Sequence, residues 1–288
     1  MNRFLALVLA LMFATLTVSS ACVAAGPDEW IAFDLRPESG DKIHASFRDD
    51  DRGRDRNNWS TGFKPSEMIG LDLAGFRAGG SRPLHFAIVR EAGRLDCAGN
   101  GGGSHGYGNC RFASDPAFLQ LLARNGIGTP TREQAFGLMA VGARRELIEA
   151  LAAARYPAPS IDDLMGLSAL GVDARYVGEL ARAGYRPQKV DTLIEFKALG
   201  ITPEWIGGFA RIGYATIPAD DLVQLRALNV TPEFVAGFDR IGYGRLPVDT
   251  LVQLKALGIT PEFARSVGSQ GRLPVDDLVQ AKLFGRPR

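Results

Sequence analysis

The chain has 288 residues, 46% of them apolar, with 33 basic and 32 acidic side chains. That is enough apolar material for a packed core in one large domain or two small ones. The even charge leaves no basic stripe, which excludes the electrostatic footprint of nucleic-acid binding and gives no support to an anionic membrane surface.

Taken in order, the chain begins with Met1-Asn2-Arg3, carrying one positive charge, then an almost unbroken apolar run from Phe4 to Val18, then small residues from Ser19 to Ala25. These are the three regions of a secretory signal peptide. Val23-Ala24-Ala25 predicts cleavage after Ala24 or Ala25, so residues 1–25 are assigned to the signal and the protein to the periplasm or the exterior. Lipid attachment at Cys22 is the alternative, although Ser19 stands where such a signal usually has Leu. The first apolar run is short for a bilayer and no later stretch is longer, so no integral membrane span is expected. Cys97 and Cys110 then remain. In an oxidising compartment an isolated pair reads as a disulfide, with two free thiols as the alternative.

Residues 26–112 read as strands and turns. Trp30–Leu35 alternates partly, and Lys42–Arg48 cleanly, with Ile43, Ala45 and Phe47 on one face. A charged loop follows from Asp49 to Asn58, and Ser66 is expected to cap a short helix through Met68 and Leu71. Pro83–Arg90, Arg94–Ala98 and Asn109–Phe112 are further strands, the last two separated by a glycine-rich loop. Four to six strands predict a small antiparallel sheet with one packed face. A Cys97–Cys110 bridge would staple the hairpin across Asn100–Asn109, contributing about 3 kcal/mol by loop closure.

No motif with chemistry survives inspection. Gly101-Gly-Gly-Ser-His-Gly106 fits G-x-G-x-x-G but lies between strands rather than opening a helix. Asp49, Asp50 and Asp51 lack the calcium-loop spacing, and Arg52, Arg54 and Arg56 neutralise them. His44, His85 and His105 match no zinc spacing. Asp162-Asp163, Asp220-Asp221 and Asp276-Asp277 each fall in a first helical turn, where negative charge complements the macrodipole. No catalytic, cofactor-binding or metal-binding residue is therefore assigned.

Residues 113–288 repeat with a period of 29, in units starting at Ala113, Gly142, Gly171, Gly200, Asn229 and Gly258. In the fifth unit Thr231-Pro-Glu is a helix start, Gly242 a helix stop, and Pro247-Val-Asp-Thr a second start. Thr131-Arg-Glu-Gln134 and Ser160-Ile-Asp-Asp163 have capping-box spacing. Helices this short are marginal alone and must stack, so about six helical hairpins should form an α-solenoid. Tyr156, Tyr185, Tyr214 and Tyr243 recur at one place. They read either as a structural ladder or as a surface that binds a partner. Glu179, Gly207, Gly208, Ala236 and Arg265 vary inside the frame, where partner choice would lie.

The phrases Leu-Gly-Ile-Thr-Pro-Glu at 199–204 and 257–262, with Ile-Gly-Tyr and Asp-Leu-Val-Gln-Leu, resemble helical repeats of many uncharacterised exported bacterial proteins. Similar arrays occur on extracytoplasmic tails of proteins resembling β-lactam-sensing antirepressor metallopeptidases. Phe86-Ala-Ile-Val-Arg-Glu-Ala-Gly93, the glycine-rich hairpin and Phe112–Phe118 are similar to the β-region preceding such arrays. The chain lacks H-E-x-x-H and a membrane bundle, so the resemblance implies architecture and no protease activity.

The combined expectation is an α+β protein: a small antiparallel sheet followed by an α-solenoid. Its function is expected to be non-enzymatic, as an exported scaffold for an unknown protein partner. The alternatives are an envelope sensor holding a small ligand, with Trp30, Trp59 and Tyr107 as stacking surfaces, and a hydrolase built around His85 or His105.

Overall fold

The structure, a computed structural model, describes residues 30–49, 58–185, 189–268 and 271–285. The expected signal segment with Cys22, and residues 50–57 of the charged loop, lie outside the described residues.

Six strands form one antiparallel sheet: β1 (Trp30–Pro37), β2 (Ile43–Asp49), β3 (Asn58–Phe63), β4 (Arg82–Arg90), β5 (Gly93–Gly102) and β6 (His105–Ser114), in the order β3-β2-β1-β6-β5-β4. The period-2 pattern sends Ile31, Phe33 and Leu35 of β1 and Ile43, Ala45 and Phe47 of β2 to a buried face. Strand β3 was not expected. Its sequence, Asn-Trp-Ser-Thr-Gly-Phe, is mostly polar, and as an edge strand it gains its place by pairing with β2 rather than by its own pattern.

The glycine-rich stretch is not a loop. β5 and β6 pair without a break through Gly99↔Gly108, Asn100↔Tyr107, Gly101↔Gly106 and Gly102↔His105. Gly103 and Ser104 turn the chain with φ of 60° and 64°, the left-handed pair of a two-residue hairpin. The glycines are needed because neighbouring backbone closes on them, as Tyr107 O does on Gly99 and Ala98 O on Gly108, and because side chains lie over them. A Cβ on Gly108 would stand 2.8 Å from the Phe33 ring, and one on Gly106 would meet Leu84 and Phe76 at 3.2 and 3.4 Å. Phe76 comes from a short helix, α1 (Leu73–Arg77), whose cap is Asp72, accepting from Gly75 N–H at 3.0 Å. The expected cap, Ser66, instead lies in a 3-10 turn over Pro65–Glu67, closed by Glu67 accepting from Lys64 N–H at 2.8 Å.

Cys97 and Cys110 face each other across β5 and β6 and form a disulfide on the buried face, 4% and 0% exposed. Phe33 and Phe86 meet edge to face beside it, with ring centres 5.1 Å apart.

Twelve helices follow among the described residues: α2 (Pro116–Arg124), α3 (Arg132–Ala140), α4 (Arg145–Ala153), α5 (Ile161–Ala169), α6 (Ala174–Arg182), α7 (Val190–Ala198), α8 (Pro203–Arg211), α9 (Ala219–Ala227), α10 (Pro232–Arg240), α11 (Val248–Ala256), α12 (Pro261–Val267) and α13 (Val275–Phe284). Asp115, Asp173, Thr202, Thr231 and Thr260 cap first helices, and Thr131 and Ser160 form the expected capping boxes. Gly142, Gly171, Gly200, Asn229 and Gly258 all take positive φ where one unit hands over to the next.

The helices stack in two layers. Second helices follow one another as α3, α5, α7, α9 and α11, and first helices as α2, α4, α6 and α8, then α10 and α12. Small residues set the spacing. A Cβ on Gly208 would stand 2.7 Å from Pro232, and one on Gly237 2.6 Å from Pro261. Gly208, expected among the partner-choosing positions, is thus where the next unit's first helix rests. No helix among the described residues is long and apolar enough to cross a membrane.

Candidate functional site

The recurrent tyrosines point into the array. Tyr156 and Tyr214 are buried, and Tyr185 and Tyr243 half-buried. The Tyr214 hydroxyl donates to Leu246 O at 2.7 Å and that of Tyr243 to Leu273 O at 2.8 Å, while Ile217 N–H donates to Tyr185 Oη at 3.1 Å. Each bond reaches the turn of the next unit, just before its second helix. Those contacts support the ladder reading, because the hydroxyls satisfy buried backbone groups that the turns leave open. Tyr176 adds a bond to Ile201 O at 2.6 Å, and burial pushes its phenol up to about 12.

A second recurrence escaped the sequence reading. On the first helix of four consecutive units an aromatic ring is covered by a cation from the second helix. Lys197 lies 4.8 Å from the Tyr176 ring centre, Arg226 5.5 Å from Trp205, Lys255 4.7 Å from Phe234 and Lys282 4.9 Å from Phe263. Except for Tyr176, these rings are half-buried rather than sealed. The 29-residue period contained the signal, since the aromatic and the cation each recur, but only the fold reveals that they meet.

Where the array meets the sheet, the repeat is broken. The second unit has Arg144-Arg145 where the fourth to sixth units have Thr-Pro. Arg144 makes no side-chain cap. Instead Glu91, in the β4–β5 turn, accepts from Arg145 N–H at 2.7 Å, and the Arg145 guanidinium reaches Asp115 at 2.6 Å. The Phe118 N–H that Asp115 caps, although burial opposes it, and Arg145 together hold the Asp115 carboxyl below its ordinary range. Arg90 completes the joint. Its guanidinium donates to Met139 O and Ala140 O at the end of α3 and lies over Trp59 and Phe63. Trp59 stacks on Phe47 at 5.1 Å and meets Phe136 edge-on at 6.0 Å. It is half-buried and packs its ring into the joint.

Among the described residues no layer covers the other face of the sheet. His44, His85 and His105 all lie on it, with Trp30, Asp34 and Tyr107. His105 Nε2 is 2.8 Å from Asp34, which also accepts from Arg36 at 2.8 Å. Burial acts to raise the Asp34 carboxyl, but these two partners outweigh it and hold the group below its ordinary range. Glu38, His44 and Ser46 form a line, with gaps of 3.7 and 3.4 Å. Both are long for proton transfer, and β2 is paired on both sides, so its backbone N–H groups serve the sheet rather than an oxyanion. Among the described residues no group of three His, Cys, Asp or Glu side chains is arranged to hold a metal.

No family model matches the chain, and no curated protein matches it.

Proposed function

We propose that the protein is an exported, non-enzymatic scaffold whose helical array presents a binding surface to a protein partner in the periplasm or outside the cell. The observation that carries this reading is the stripe of aromatic–cation pairs, one per unit, from Tyr176–Lys197 to Phe263–Lys282. Trp, Tyr and Arg are the residue types that dominate interface energetics. Unlike the ladder tyrosines, the cations of these pairs are not all consumed in stacking: among the described residues, Arg226 alone of the four also bonds a neighbouring unit, at Leu199 O. The disulfide is compatible with an extracytoplasmic location. The resemblance to exported repeat proteins leans the same way.

The test is capture from envelope extract by the mature protein, run beside a Lys197→Glu/Lys255→Glu variant. A partner held by the wild type and released at least tenfold by the variant is the expected result. Capture that ignores the charge reversal, or no specific partner across growth conditions, would overturn the reading.

A further inference from the structure

We propose that the sheet face left open by the described residues binds an uncharged glycan chain, laid along the strands between Trp30 and Tyr107. Tyr107 is 55% exposed, and its ring stands beside that of His105 at 6.0 Å. Asp34 pins His105, so the two rings form a fixed shelf. At the other end Arg111 lies over the Trp30 ring at 4.6 Å and holds it in place. Trp30 pairs with Arg111 and Asp34 with Tyr107, so the two rings lie four residues apart along the strands. At about 3.4 Å per residue that is roughly 14 Å, a span of a few sugar rings.

Between the rings the surface is small and polar. Ala98 and Asn109 are cross-strand partners, as are Asn100 and Tyr107. Both asparagines are exposed, and among the described residues neither amide makes a side-chain hydrogen bond. Beside them a shallow depression runs between Trp30 and Ile69, with Ala87 and Ala98 in its lining.

Charge decides the class of ligand. Along β1, β5 and β6 the charged groups of this face are already engaged: Asp34 with Arg36 and His105, Arg94 with Asp96 at 2.7 Å, and Arg111 on the Trp30 ring. An ionic ligand would have to break those pairs. A protein partner would want an apolar centre to the patch, and here the exposed apolar side chains are single and scattered. A sugar chain needs what is present: ring faces for its C–H surfaces and open amides for its hydroxyls.

This inference goes beyond the array reading and uses none of its residues, so either can fail alone. The test titrates cellohexaose and chitohexaose into the mature protein, followed by calorimetry. Saturable binding of at least one hexasaccharide is expected, weakened tenfold or more in Tyr107→Ala and in Trp30→Ala, and largely kept in Tyr107→Phe, which retains the ring. Circular dichroism confirms that each variant is folded. The inference is overturned if neither hexasaccharide saturates, if Tyr107→Ala and Trp30→Ala both bind within twofold of wild type, or if Tyr107→Phe loses as much as Tyr107→Ala.

Discussion

The Glu91 carboxylate accepts a hydrogen bond from the backbone N–H of Arg145 at 2.7 Å. A turn of the sheet thereby caps a helix of the array, at the one unit that carries Arg-Arg where the fourth to sixth units carry Thr-Pro. Residues that break the repeat here hold the two parts of the protein together. Glu91→Ala should therefore destabilise by about 1 kcal/mol, the usual worth of an N-cap. Arg145→Pro, which supplies the residue of the fourth to sixth units but removes the N–H, should cost a similar amount. The double variant should be less damaged than the sum, as read by urea unfolding; strict additivity would mean the bond contributes nothing.

Arg90 should matter more. It serves two carbonyls at the end of α3 while covering the rings of Trp59 and Phe63. Hydrogen bonds from a charged donor are each worth about 1.5–3 kcal/mol. Arg90→Ala is expected to cost about 2–3 kcal/mol and to shift the emission of Trp59, whereas a surface arginine such as Arg36 should change stability by less than about 0.5 kcal/mol.

The Cys97–Cys110 bridge closes a short loop within strands that already pair. The double Cys→Ala variant should lose about 3 kcal/mol. Because both sulfurs are buried, dithiothreitol should reduce the native protein slowly and the urea-unfolded protein quickly. Non-reduced mass spectrometry should give a mass two hydrogens below the reduced form, and free thiols there would remove the bridge from the account.

Tyr176 sets an alkaline limit. Its phenol is raised to about 12 in the folded state because burial disfavours the phenolate. A group raised on folding contributes stability that is complete below its unfolded value, about 10. That contribution is lost as pH climbs towards its folded value. Tyr176→Phe should be less stable than wild type by about 1 kcal/mol at pH 8, through the lost bond to Ile201 O. The gap should close between pH 10 and 12, and a gap constant with pH would contradict the assignment.

Asp115 sets the opposite limit. Its carboxyl is depressed in the folded state, so its contribution is present above the unfolded value, about 3.9, and is lost as pH falls below it. Asp115→Ala should cost about 1 kcal/mol at pH 7. The difference from wild type should shrink in unfolding curves taken below pH 4.

The sequence alone determined what is local or periodic. Thr131, Ser160 and Thr231 act within three residues of themselves, so their capping chemistry is written beside them. The alternation of Ile43, Ala45 and Phe47 gave a strand with one buried face, and the 29-residue period gave a stack of short helices that cannot stand alone. Only the tertiary structure decided the rest, because those features join residues far apart in the chain. The glycines of β5 and β6 looked like a loop until Phe33 and Phe76 lay over them, and β3 looked like no strand until β2 paired with it. Glu91 caps a helix 54 residues away. His105 meets Asp34 across 71 residues. Side-chain chemistry specifies a turn of helix from its own neighbours, but a joint or a binding face exists only once the chain has brought distant neighbours together.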